Sequence, residues 1–252
     1  MSTETKKYLA VTFAVSWILW GVVAFASKFE IELFSFSGVV GKIMYVLGGV
    51  SPALCEIFLK KKSCSKEEFK RFLKSIINPK HSILIYLYTI IGAMLIQFLP
   101  VWFKLTEIKQ PIYMGFVLII PMIIGGGIEE IGWRGLLQPE LEKKYSHIIS
   151  AILVGIIWAV WHLPLWFISG TNQENINFLW FCINTIMLSF FIGSVTYVSG
   201  SIFMAILAHA TMNAFWEVTG VTNEIFPSLL LMFFVIIVTM IIDCFIKKRK
   251  EN

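Results

Sequence analysis

The side chains best equipped for chemistry stand at three places in an otherwise apolar chain. The stretch "EEIGWR" (129–134) sets Glu129 beside Glu130, with Arg134 four residues after Glu130. "WAVWH" (158–162) ends on His162, and "HATMN" (209–213) runs from His209 to Asn213. Helix residues i and i+4 share a face, so Glu130 and Arg134 are spaced to form a structural ion pair. Glu129 points about 100° away from Glu130. Its own i+4 neighbour is Trp133, so it gains no helical counter-ion. That makes Glu129 the reactive carboxylate, and a carboxylate poorly solvated by water suits a general base near neutral pH. His209 and Asn213 also share a face, so an imidazole and an amide donor can point into one cavity. A lone intramembrane histidine often only bonds helix to helix, and a Glu-Glu pair at a span end can be a solvated cap. Two carboxylates, a guanidinium, two imidazoles and an amide on three helices are hard to explain as packing. They are what water-dependent acyl chemistry requires, a base for the water and donors for the oxyanion.

These groups sit in a chain built for a bilayer. Of the 252 residues 57% are hydrophobic and 15% charged, and the mean hydropathy is +0.77. A soluble domain has about 45–50% apolar and about 25% charged residues. The excess runs along the whole sequence, which predicts an all-α, polytopic transmembrane helical bundle. About eight spans are expected, near 8–27, 38–59, 81–103, 111–130, 148–168, 177–197, 201–217 and 225–246. Each is close to the roughly 17–25 residues a spanning helix needs. No cleavable signal peptide, internal repeat or long linker is evident, so residues 1–252 read as one membrane-embedded domain. Intramembrane ionisable groups are functional candidates by default. Glu56, Glu217 and Asp243 fall near span ends, where water can reach them.

Charge sets the orientation. With the N-terminus inside, 17 of the 21 Lys and Arg residues fall on the inner side, leaving Lys28, Lys42, Lys104 and Lys109 outside. The basic tail 247–250 then requires an even number of spans, so both termini are expected in the cytoplasm. The net charge of +5 reflects these loops and is no sign of nucleic-acid binding. "KEEFKRFLKSIINPKH" (66–81) carries apolar residues at helical spacing among lysines. It reads as an amphipathic helix on the inner surface, or else as a solvated loop helix touching the bundle. Cys55, Cys64, Cys182 and Cys244 form no CxxC pair and read as small apolar packers.

Glu129 and His162 flank a midpoint between Tyr145 and Ser146, within the plausible turn "KKYSH" (143–147). If both arms are helical, each residue stands about 24 Å from that turn, at equal height. Pro139 is expected to kink the first arm. About 18 residues precede Glu129 in its span but only about 6 follow His162. A break at Gly125–Gly127, or a tilt, would absorb the mismatch.

The three motifs resemble the CAAX protease and bacteriocin-processing (Abi, or CPBP) family of intramembrane proteases. Its pattern is EExxxR, then FxxxH, then HxxxN or HxxxD on successive elements. Residues 129–134 and 209–213 match in full, and Trp158 replaces the usual phenylalanine of the second motif. The resemblance covers roughly residues 111–215. It implies hydrolysis of a peptide bond in a membrane-associated or lipidated substrate, within a cavity reached from the cytoplasmic side. Glu129 with His162 would activate water, Glu130 would stand beside them, and His209 with Asn213 would stabilise the oxyanion. The family also carries a metal-dependent label. In that version Glu129, His162 and His209 would bind Zn²⁺, but no HExxH is present. The glutamate version is preferred here, and the sequence itself names no cofactor. Trp158 keeps a large aromatic and bears on packing more than on chemistry. A non-proteolytic scaffold or bacteriocin self-immunity protein is the alternative. A proton-linked transporter is a further reading, weakened by the lack of inverted repeats. The Lys- and Ile-rich composition fits a bacterial plasma membrane.

Overall fold

Backbone polar groups have no partner in hydrocarbon, so apolar segments of span length must fold as helices. The computed structural model describes residues 1–252 except Val221, Asn223 and Asn252, and from 246 to 251 it describes the backbone alone. Ten helical segments make the bundle, and no strand occurs among the described residues. They are α1 (Thr3–Lys28), α2 (Val39–Ser63), α3 (Lys66–Ile76), α4 (Ile83–Trp102) and α5 (Ile112–Ile124). Then come α6 (Gly127–Glu142) and α7 (His147–Trp161), α8 (Phe178–Ser199), α9 (Ile202–Thr219) and α10 (Ile225–Glu251).

The expected count of about eight spans is not reached by helix length and composition. Six helices are long and apolar enough to cross a membrane, and a seventh is obtained if α5 and α6 count as one bent span. The expected span 201–217 forms α9 but is not among the seven. The physical reason lies in its own residues, since His209, Asn213 and Glu217 make it too polar for lipid. It is sheathed instead, packing on α5, α4 and α8. Small residues allow the close approach. A Cβ at Gly115 of α5 would meet the Phe215 ring at 2.5 Å, and Ala205, Ala208, Ala210 and Ala214 are buried along α9.

The break expected at Gly125–Gly127 is present, with α5 and α6 bent by 43°. Gly126 carries φ +146°, which glycine alone adopts without strain. α6 is irregular beyond it. A 3₁₀ turn (Gly127–Glu129) leads through one α-turn into a π-turn at Trp133–Leu137, and Pro139 follows at the start of the last segment. Such π-turns carry one extra residue and recur at functional sites.

The bundle has two distinct ends. At one, Thr5 Oγ1 donates to Glu140 Oε2 at 2.8 Å and Ser63 Oγ donates to Glu4 Oε1 at 3.0 Å. At the other, the 104–110 loop meets the end of α9, where Lys109 N donates to Val218 O at 2.7 Å and Thr106 Oγ1 to Thr219 O at 2.8 Å. α3 lies at the first end and stops at Ile76, short of the expected 81. Its Ser65–Glu68 capping box is complete, and the bonds from Ser65 hold the Glu68 carboxyl below its usual range. Phe72 and Ile76 pack on Ala53, Ile131 and Ile206, so α3 touches the bundle. The side chains of the basic tail 247–250 lie outside the described residues.

Candidate active site

A cavity of about 380 Å³ opens among α1, α2, α5 to α9 and the loop after α7. Glu129, His162, His209 and Asn213 all line it. Four of the five expected catalytic residues, from three separate stretches of sequence, therefore share one cavity. Glu130 lies beneath it, fully buried.

Glu130 and Arg134 pair as their spacing predicts, Arg134 Nη1 standing 2.9 Å from Glu130 Oε2 with both side chains inaccessible to solvent. The pair reaches further than the sequence indicated. His209 Nδ1 donates to Glu130 Oε1 at 2.7 Å. Arg134 Nη2 donates to the backbone oxygen and the hydroxyl of Ser189, both at 2.9 Å. Glu130 thus joins α9 to α6, and Arg134 joins α6 to α8. Because Nδ1 is committed to Glu130, the Nε2 side of His209 is the side left for the cavity.

Glu129 has no ionic partner on its own helix, as expected, but it does have donors. The Trp158 indole N–H reaches its Oε2 at 2.8 Å and the Trp133 indole N–H reaches the same oxygen at 3.3 Å. Trp158 therefore does more than fill the place of a phenylalanine, whose ring has no donor to offer. It also lies edge-on to His209 at 4.9 Å between ring centroids, with the Arg134 guanidinium 5.8 Å away. The contact joins Glu129 of α6 to Trp158, which lies one turn before His162 on α7. The turn itself falls near the expected position, with Ser146 capping α7.

His162 is fixed from within its own helix, its Nδ1 donating to Trp158 O at 2.8 Å. Its ring stacks on Trp20 of α1 at 6.2 Å and 20° and meets Trp161 edge-on at 4.5 Å. Among the described residues no hydrogen bond joins His162 to Glu129. Asn213 Nδ2 donates to Gly125 O at 3.1 Å. A Cβ at Gly126 would collide with that amide nitrogen and lie 2.8 Å from His209 Nε2. Gly126 is therefore what lets α9 present His209 and Asn213 against the start of α6. Sequence reasoning missed Trp158 as a donor, Trp20 and Ser189, and it saw Gly126 only as part of a break. Trp133 was visible as the i+4 neighbour of Glu129, but only as an apolar one.

The proposed metal ligands are less well disposed. Glu129 Oε2 is engaged by two indoles and Nδ1 of each histidine is engaged, which leaves Oε1 and the two Nε2 atoms as the only donors these residues could offer a metal. No group of three or more His, Cys, Asp or Glu side chains able to hold a metal ion occurs among the described residues. As they stand, Glu129, His162 and His209 do not form such a group.

Residues 111–215 match the model of the family described as type II CAAX prenyl endopeptidase Rce1-like. Within that stretch the chain is similar to the Rce1-like endopeptidases. All three motifs lie inside the matched stretch. The similarity extends beyond it to a CAAX prenyl protease 2 from Methanococcus maripaludis, 28% identical over 241 residues that cover 87% of this chain and 86% of the relative.

Proposed function

We propose that this chain is an intramembrane endopeptidase that hydrolyses a peptide bond of a membrane-associated protein or peptide. The observation that carries the reading is Glu129, held by two indole N–H groups at one oxygen on the wall of a cavity shared with His209 and Asn213. Clamping Oε2 leaves Oε1 to accept a proton from a water molecule. His162, with Nδ1 committed to a carbonyl, has Nε2 left to orient that water. Attack on the scissile carbonyl develops charge on its oxygen, which the Asn213 amide and His209 Nε2 would stabilise. With His209 protonated, Glu129, Glu130, Arg134 and His209 are neutral as a group, and protonated Nε2 is a donor. The proton taken by Glu129 then passes to the leaving amine. No step is routed through a metal.

In this proposal α9 is an eighth crossing, made inside a sheath of protein, and both termini face the cytoplasm of a bacterial plasma membrane. The names of the similar proteins favour a prenylated protein substrate. No residue of the cavity singles out a lipid, so the substrate is left here as a membrane-associated peptide.

The test is cleavage of lipidated and unlipidated peptides, and of a membrane proteome, by protein in lipid nanodiscs. Wild type should cut and Glu129→Gln should be reduced to background. Equal cleavage by both would remove Glu129 from the mechanism. No cleavage by wild type in either assay would turn the reading to a binding or immunity protein.

A further inference from the structure

His209, Asn213 and Glu217 follow one another along α9 at four-residue steps, and all three line the cavity. The first two are the proposed oxyanion donors. Glu217, on the last turn of the helix, has no task in the mechanism. At the helical rise it stands about 6 Å beyond Asn213 and about 12 Å beyond His209.

Its charge is not answered from within the protein. Among the described residues no hydrogen bond or ion pair engages the Glu217 carboxylate, and the cavity wall holds no Lys or Arg. Lys109 lies against Gly220, just past Glu217, yet pairs with Glu107 at 2.6 Å. With His209 protonated, the catalytic cluster is neutral as a group. Glu217 is then the charge on the wall that no described residue offsets.

Its neighbours on the wall suit the same kind of ligand. Gln173 lines the cavity, and its Oε1 is buried without a hydrogen-bond donor. Trp216, also on the wall, is braced edge-on by Trp180 at 5.7 Å and packs on the cluster that contains Ile176. A carboxylate, an unfilled carbonyl and an indole are groups that recognise a cationic donor.

We infer that Glu217, Gln173 and Trp216 form a subsite for one basic side chain, lysine or arginine, of the bound segment. That the segment is a peptide rests on the endopeptidase reading. An extended chain advances about 3.3 Å per residue, so a scissile carbonyl held at His209 and Asn213 puts the basic residue about two to four residues away. An acidic residue at that position meets Glu217 unpaired and is rejected.

The test is binding rather than turnover. Glu129→Gln chains in lipid nanodiscs are titrated with short acyl-anchored alanine–leucine peptides, in which a single Lys, Gln or Glu is moved through every position. Within one narrow stretch Lys should bind about tenfold more tightly than Gln, Glu should bind more weakly than either, and added salt should reduce the difference. Adding Glu217→Gln should abolish the preference. Adding Glu217→Lys should invert it in favour of Glu, which a misfolded chain could not do. If the lysine variant fails to accumulate, the glutamine variant and the salt dependence decide. Equal binding of the Lys, Gln and Glu peptides at every position, or a Lys preference that survives Glu217→Gln, overturns the inference. The two readings fail separately. Cleavage by wild type with no charge preference removes the subsite and leaves the endopeptidase. A Glu217-dependent preference in a protein that cuts nothing keeps the subsite and removes the endopeptidase. No peptide bound at any position removes the subsite.

Discussion

The Trp158 indole donates its N–H to Oε2 of Glu129 at 2.8 Å, across 29 residues of sequence. The two side chains approach from α7 and α6, and the bond selects which carboxylate oxygen stays available. Trp158→Phe removes that donor and keeps an aromatic ring. A hydrogen bond to a charged group contributes about 1.5–3 kcal/mol, so kcat should fall roughly 10- to 100-fold. The unfolding midpoint should fall as well, since the bond is buried, while KM should hardly move. Activity within twofold of wild type would mean that the indole merely packs.

Arg134 is a buried guanidinium whose bonds go to Glu130 and Ser189. Arg134→Met would leave the Glu130 carboxylate buried with His209 as its remaining partner. Breaking such a pair costs about 3–5 kcal/mol, to be read from unfolding in nanodiscs. Arg134→Lys keeps the charge but cannot reproduce the fork to Ser189, and should lose less. A loss below about 1 kcal/mol for the methionine variant would contradict a structural role for the pair.

Gly126→Ala places a methyl group against Asn213 and His209 at a φ of +146°. Backbone strain of this kind costs about 1–3 kcal/mol. The expected result is a lower unfolding midpoint and at least a tenfold loss of kcat, because α9 must retreat from α6. Gly125→Ala, where the nearest atom is the flexible Met122 sulfur at 3.3 Å, should be milder on both counts. Equal effects would undo the argument for a cradle.

Chelators should leave peptide cleavage unchanged after prolonged incubation and dialysis. Loss of activity restored by added Zn²⁺ would mean that Glu129, His162 and His209 rearrange around a metal. The preferred mechanism would then fall.

The i,i+4 rule was enough to read Glu130–Arg134 and the shared face of His209 and Asn213, because those relations are local to one helix. The link from Glu130 to His209 spans 79 residues, and no periodicity reports it. Hydropathy hid the tryptophans. An apolar side chain with one N–H counts toward a span, yet at Trp133 and Trp158 that one group is what meets Glu129. Hydropathy alone does not decide α9, since a helix sheathed by protein need not satisfy lipid. The glycine break was visible as "GGG" (125–127). The positive φ at the middle glycine depends on α9 lying against it, which the sequence does not state.

The segment that carries all three motifs is not self-sufficient. α1 lies wholly outside residues 111–215, yet Trp17 donates to Trp161 O at 3.0 Å and Trp161 donates to Ser16 Oγ at 2.7 Å. A Cβ at Gly132 would collide with the Tyr8 hydroxyl, and Trp20 backs His162. A truncated chain holding only the motif-bearing half would lose one side of its reaction chamber and open the remainder to lipid tails. Supplied as two separate polypeptides, α1 and the rest should find each other in the bilayer, much as a dropped keystone can be set back into its arch.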